Sequence, residues 1–100
     1  MNFPICKEMK IYRQMLDDRK IKWVDKSDRY MCRTHFHMEN GDLISVINGQ
    51  GSYGGATLFN GYNAGLLELM AEMINEGDPV GELTATEVIE LIENAYNMYQ

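Results

Sequence analysis

The sequence predicts an α+β fold: an N-terminal helix, an antiparallel sheet of three to four strands, and two C-terminal helices packed on one face. Three observations predict it. Apolar residues recur at helical spacing near the start of the chain, at Ile5, Met9, Tyr12 and Leu16. Two strand-like runs flank Asn40-Gly41, the favoured pair for a tight hairpin. Thr84 and Glu87 stand three residues apart at the head of a last apolar stripe, the spacing of a helix-capping box.

The first helix is expected over residues 4–18. Pro4 suits a first turn, Met15 joins the apolar stripe, and Lys7, Lys10, Arg13 and Gln14 fall mostly away from it. Residues 21–24 read as a short strand with Ile21 and Trp23 on one face, closed by the polar turn 25–28. The hairpin pairs residues 30–38 with 43–48. With Asn40 and Gly41 as the two loop residues, Met38 faces Leu43, His35 faces Val46 and Arg33 faces Asn48. Cys32, Thr34, Phe36, Met38, Leu43, Ser45 and Ile47 then form the core face. Arg33, His35, His37, Ile44, Val46 and Asn48 form the other. A one-residue slip in the turn exchanges the faces of the second strand of this hairpin.

Residues 49–65 hold six of the nine glycines. Within them, residues 56–59 are expected to form a short fourth strand, with Asn60-Gly61 as another turn. Leu66, Leu69, Met70, Met73 and Ile74 predict a helix over 66–76, stopped by Gly77. The last helix starts at Thr84; Leu83 and Val88 make its hydrophobic staple, and Val88, Leu91, Ile92, Ala95, Tyr96 and Tyr99 its apolar stripe.

The chain has 100 residues, of which 45% are apolar, enough for one core and too many for a disordered segment. One domain over 1–100 is expected. Two distant cysteines make neither a disulfide framework nor a zinc site. No basic stretch precedes an apolar run at the start, and no run approaches the ~20 residues that span a bilayer. The expectation is an intracellular protein without membrane contact.

Charge is segregated. All nine Lys and Arg lie in residues 1–50 beside seven acids; residues 51–100 hold eight acids and no base, and the 25 residues between Asp42 and Glu68 carry no charge. An acidic half repels phosphate backbones, which argues against direct nucleic-acid binding. It suits a basic partner, or the basic half of another copy.

Gly49, Gly51 and Gly54 match the spacing of a dinucleotide-binding loop, but no helix-forming run or second β-α-β unit follows. What remains is a glycine loop whose backbone amides can cradle an anion. Arg33, His35 and Asn48 converge on it in the expected register, and Gln50, Ser52 and Tyr53 lie within it. Arg can fork onto a phosphate, Asn, Gln and Ser can read polar edges, and Tyr can stack on a ring. The expected ligand site is therefore Arg33, His35, Asn48, Gly49, Gln50, Gly51, Ser52, Tyr53 and Gly54, and the expected ligand is small, anionic and nucleotide-like. The alternative is a wide structural turn in which glycine supplies positive φ. His35 and His37 share a face but lack a third metal ligand, and Cys32 faces away from His35, so no metal, cofactor or nucleophilic catalysis is expected. The eight methionines are read as core filler, with a methionine-rich binding groove as the sharper alternative. Tyr96 and Tyr99 are candidates for an oligomer contact.

Residues 32–36 (CRTHF), 47–55 (INGQGSYGG), 65–70 (GLLELM) and 79–85 (PVGELTA) resemble a group of small bacteriophage and prophage proteins, mostly of Firmicutes. The similarity spans roughly residues 12–92. Members of the group often carry Trp where this chain has Glu82, and no activity or site residue carries over. The resemblance implies a counter-defence protein in the host bacterial cytoplasm. Two functions are weighed on that basis. In the first, a non-catalytic protein sequesters a nucleotide-like immune signal, as a homo-oligomer because one small domain encloses little volume. In the second, an anti-CRISPR-type inhibitor docks Glu87, Glu90 and Glu93 of its acidic C-terminal region on the basic nucleic-acid channel of a host defence protein.

Overall fold

In the computed structural model, residues 1–55 and 62–97 are described. The order is α1 (Lys7–Asp18), β1 (Val24–Asp25), β2 (Met31–His37), β3 (Leu43–Gly49), β4 (Leu67–Met70), a 3-10 turn (Asn75–Gly77), β5 (Val80–Leu83) and α2 (Ala85–Ala95). Among the described residues the five strands form one antiparallel meander in the order β1-β2-β3-β4-β5. The expected three to four strands and two C-terminal helices are thus corrected to five strands and a single C-terminal helix. The expected strand at 56–59 and turn at 60–61 lie outside the described residues.

The helix expected over 66–76 is β4 followed by a tight reversal. Leu67 and Leu69 are fully buried in β4. Their spacing of two serves the sheet as well as Leu66, Leu69 and Met73 would have served a helix. Tertiary demand decides between them. Without β4, the outer edge of β3 would leave a row of backbone groups unpaired over a buried core. Gly65 and then Asn75, Glu76 and Gly77 adopt positive φ on either side of the strand, which no helix through this segment permits.

α1 buries Met9, Tyr12 and Leu16, three of the four residues of the expected stripe; Ile5 precedes the helix, which begins at Lys7 and not at residue 4. It ends where Lys20 turns left-handed at φ 59° and the Ile21 amide reaches back to the Leu16 carbonyl at 2.9 Å. α2 carries the complete capping box. Thr84 Oγ1 accepts from the Glu87 amide at 3.3 Å, and Glu87 Oε1 accepts from the Thr84 amide at 2.9 Å. These bonds hold the Glu87 carboxyl below its ordinary value. Glu8 of α1 accepts from the Ala85 amide at the start of α2, and Arg19 beyond the end of α1 pairs with Glu93 near the end of α2 at 3.0 Å. Start meets start and end meets end, so the helices run parallel, on the sheet face that carries Cys32, Phe36, Ile44, Val46, Leu67, Leu69 and Leu83.

The hairpin register differs from the expected one by one residue. Met31 opposes Gly49, Arg33 opposes Ile47, His35 opposes Ser45 and His37 opposes Leu43. The loop holds three residues, Glu39, Asn40 and Gly41. The Gly41 amide donates to Met38 O at 2.9 Å, the Met38 amide donates to Asp42 O at 2.8 Å, and only Gly41 is left-handed, at φ +92°. A two-residue type I′ turn requires positive φ at Asn40 as well. Instead, Asn40 Oδ1 accepts from the Asp42 amide at 2.9 Å, which holds an ordinary turn followed by a glycine bulge. The odd loop exchanges the faces of β3. Ile44, Val46 and Asn48 go into the core, and Leu43, Ser45 and Ile47 join Arg33, His35 and His37 on the other face.

Two polar arrangements sit inside the helix-covered layer. Arg13, only 13% exposed at its side chain, donates to Thr34 Oγ1 (2.8 Å), Arg33 O (3.0 Å) and Asp25 Oδ1 (3.2 Å), with its guanidinium 4.6 Å from the Trp23 ring centre. Tyr12 is fully buried, and its hydroxyl has no hydrogen-bond partner among the described residues. Desolvation drives its phenol well above the ordinary value. An unpaired buried hydroxyl costs stability, so Tyr12→Phe should leave the melting temperature unchanged or raise it, by up to about 1 kcal/mol of stability. Tyr12→Ala should lose about 3–5 kcal/mol. A clear drop in melting temperature for Tyr12→Phe would show that the hydroxyl is satisfied.

Candidate functional site

The face of the sheet away from both helices is the candidate site. Its side chains fall in rows set by the register. Val24, His35, Ser45 and Met70 lie in one row across β1 to β4, and Arg33, Ile47 and Glu68 in the next. Such a face is flat and lined by neighbours about 5 Å apart across strands. Val24 and Met70 are exposed, and the Arg33 side chain is 33% exposed.

Cations gather on the β1–β2 side. Arg33 Nη1 donates to Asp28 Oδ2 at 2.8 Å and approaches Lys26 O at 3.4 Å. The Arg33 hydrogen bond, with the Tyr30 amide, keeps the Asp28 carboxyl below its ordinary value. An exposed pair of this kind contributes little to stability, so a stronger anion can compete for the guanidinium. His35 Nε2 shares a 3.0 Å hydrogen bond with Ser45 Oγ. Burial first, then the charges of Arg33, Lys26 and His37, hold its imidazole below 6.5. It is therefore neutral at pH 7 and offers a polar edge rather than a charge.

The sign of the resulting pH dependence is fixed. The folded chain takes up the His35 proton less readily than the unfolded chain. In the window between the ordinary value of 6.5 and the lower folded value, the unfolded state holds more protons. Stability should fall as pH is lowered through that window and be insensitive to this group above it. His35→Gln should flatten that part of a denaturant-midpoint profile. An unchanged slope would remove His35 as its source.

The glycine loop is occupied by its own bonds. The Gly49 amide donates to Ser52 Oγ (3.0 Å), Gln50 to Tyr30 O (2.9 Å), Ser52 to Gly49 O (3.3 Å) and Gly55 to Ser52 O (3.0 Å). The Tyr53 amide donates to Glu68 Oε1 at 3.0 Å, so a carboxylate already fills the place of an external anion. The Tyr53 carbonyl accepts from the Glu82 amide, and Tyr53 takes the space a side chain at Gly81 would need, which seats the loop on β5. Gly51 and Gly54 have positive φ, and Gly54 lies within contact distance of Leu66 and Glu82.

Of the expected site, the structure therefore keeps Arg33 and His35 together on the open face, with Tyr53, 64% exposed, at its far margin. Arg33 on β2 and Tyr53 over β5 are separated by three strand spacings, roughly 14 Å. Asn48 is on the opposite face and fully buried. Its Nδ2 donates to Asn63 Oδ1 (3.1 Å) and Leu66 O (2.9 Å), and its Oδ1 accepts from Asn63 Nδ2 (2.9 Å). That clasp ties β3 to the segment leading into β4. Gly49 and Ser52 are bonded within the loop, while Gln50 and Gly51 are exposed.

Sequence reasoning missed Lys26, Ser45 and Glu68. The two-residue turn puts Ser45 and Ile47 in the core, and Glu68 falls within the expected 66–76 helix. The one signal for Ser45 is Asn40, whose side chain can bond the residue-42 amide and so hold a three-residue loop in place of the two-residue turn.

The acidic set of the alternative reading is also partly engaged. Glu93 is buried and paired with Arg19, and Glu87 belongs to the capping box; Glu90 is exposed. Among the described residues no group of three or more His, Cys, Asp and Glu is placed to hold a metal ion. Burial raises the Cys6 thiol above its ordinary value, the wrong direction for thiolate chemistry. No helix among the described residues is long and apolar enough to cross a membrane. Compared with protein-family models, curated proteins and solved structures, the chain has no match.

Proposed function

We propose that this chain is a non-catalytic binding protein that sequesters a small, anionic, nucleotide-like signal on the open face of its sheet. The observation that carries this reading is the gathering of Arg33, Lys26 and the neutral His35–Ser45 pair on the one face that neither helix covers. Arg33 exchanges Asp28 for a phosphate and Lys26 adds charge. His35 and Ser45 read a polar edge, and Ile47, Val24 and Met70 give a ring an apolar floor. Tyr53 closes the far margin. The amides of residues 49–55 have a minor part, because most are already bonded.

Capture without turnover needs tight binding; a Kd near 1 nM corresponds to roughly 12 kcal/mol. A flat face on a monomer supplies too little enclosure for that, so the protein is proposed to act as a homo-oligomer whose second copy covers the ligand. Such a protein fits a phage counter-defence role in the host bacterial cytoplasm, where the captured molecule is an immune signal. Native mass spectrometry of protein purified from bacteria with active defence signalling tests the reading. An oligomer carrying a small-molecule mass supports it. An apo mass with no shift on adding cyclic and linear nucleotides contradicts it.

A second reading rests on the eight acids and absent bases of residues 51–100. It makes the chain an inhibitor that docks on the basic surface of a host defence protein, as an anti-CRISPR does. Glu90→Lys is its clean test, because reversing Glu87 or Glu93 also breaks the α2 cap or the Arg19 pair. Loss of inhibition with the fold retained supports docking, and unchanged inhibition removes Glu90 from it.

A further inference from the structure

We propose that the end of the sheet where β3 begins and β4 ends is a docking surface for a cationic, amphipathic protein segment. It shares Met70 with the ligand face but none of the polar groups on which the ligand reading rests, Arg33, Lys26, His35 and Ser45.

Three large apolar side chains are exposed there: Leu43 at 41%, Met70 at 45% and Met73 at 55%. Ser45 opposes Met70 where β4 ends, so Leu43 lies at the end of the sheet where the chain leaves β4 and reverses through Met73. The reversal is fixed. Ala71 and Ile74 are buried beneath it and bridge each other, and the Ile74 amide donates to Ala71 O at 3.1 Å. Asn75, Glu76 and Gly77 follow with successive φ of 51°, 55° and 87°, a run of left-handed backbone that two non-glycine residues rarely adopt. The Tyr96 hydroxyl donates to Asp42 Oδ2 at 3.0 Å and lies against the Met73 backbone, which ties α2 to both the hairpin and the reversal. Glu72 and Met73 are thereby held outward on a built support.

Charge names the partner. Asp42 and Glu72 meet at the Tyr96 hydroxyl beside the Met73 backbone, the exposed Glu76 and Asp78 follow within five residues of Met73 in the chain, and no Lys or Arg occurs anywhere after Arg33. His37, opposite Leu43, is the titratable group on the flanking strand. Methionine is flexible and polarizable and adapts to differently shaped apolar anchors. Methionines inside a ring of carboxylates fit a helix with two or three apolar residues at i, i+3 or i+4 on one side and Lys or Arg on the other. A face this small gives weak, micromolar-class binding.

The probe is a synthetic 14-residue amphipathic helix of Leu and Lys, with an isomer of the same composition whose Leu residues are scattered round the helix. The full chain carries carbon-13 methionine methyl labels. The Met70 and Met73 methyl signals should shift with the amphipathic peptide, and the isomer should bind at least tenfold more weakly. Glu72→Lys with Glu76→Lys should weaken binding at least tenfold, and Met73→Gln, on an exposed turn, should do likewise. Arg33→Ala should leave peptide binding within twofold while weakening nucleotide capture, so the two readings fail separately. Equal binding of both peptides, methyl shifts confined to other methionines, or no binding at all would overturn the proposal. So would sedimentation showing that a second copy occupies the face and excludes the peptide.

Discussion

Asn48→Asp should lower the stability of the ligand-free chain by about 3 kcal/mol, the cost of a buried charge that loses its partners. For a chain of this size that is a drop of roughly 15 °C in melting temperature. The replacement has nearly the same shape, but it removes the Nδ2 donor to Asn63 Oδ1 and Leu66 O. It also sets a carboxylate beside that carbonyl at a position with no solvent exposure. Part of the deficit should return in acid, where the introduced carboxyl takes up a proton and can donate again. Thermal unfolding of both proteins across pH checks this. A ligand-reading role for Asn48 predicts the opposite pattern, with stability unchanged and affinity lost.

Arg33→Ala should weaken capture of an anionic ligand by about 10- to 100-fold, because a charge-assisted hydrogen bond contributes about 1.5–3 kcal/mol. Stability should change by less than about 1 kcal/mol, since the Arg33–Asp28 pair is on the surface. The remaining affinity should depend less on salt than that of the parent chain. Calorimetric titration at two salt concentrations separates these effects. Equal loss of stability and affinity would make Arg33 a structural residue.

The contrast between these residues shows how far the sequence could be read. The start of α2 was legible to the residue because a capping box acts within one turn: Thr84 and Glu87 need nothing from elsewhere. The stripe of α1 was legible for the same local reason. The hairpin was legible as a hairpin, yet its register turned on whether Asn40 entered the left-handed region. Its side chain bonded the Asp42 amide instead, and that single choice moved Asn48 into the core and Ser45 onto the open face. Residues 66–76 failed for a non-local reason. Their apolar positions satisfy both periods, and the unpaired edge of β3 selects the strand. The glycine loop was visible, but Glu68 and Glu82, which bond its backbone, could be placed there only once β4 and β5 were known.

The claim on which the account turns is that the open sheet face, and not the glycine loop, receives the ligand. Nitrogen-labelled chain titrated with a nucleoside diphosphate reads this directly by nuclear magnetic resonance. The predicted result is shifts centred on Arg33, His35, Ser45 and Ile47, including the Arg33 side-chain signal, with the Gly49, Gln50 and Gly55 amides unmoved. Shifts confined to residues 49–55, or none on β2 and β3 at millimolar ligand, would contradict it.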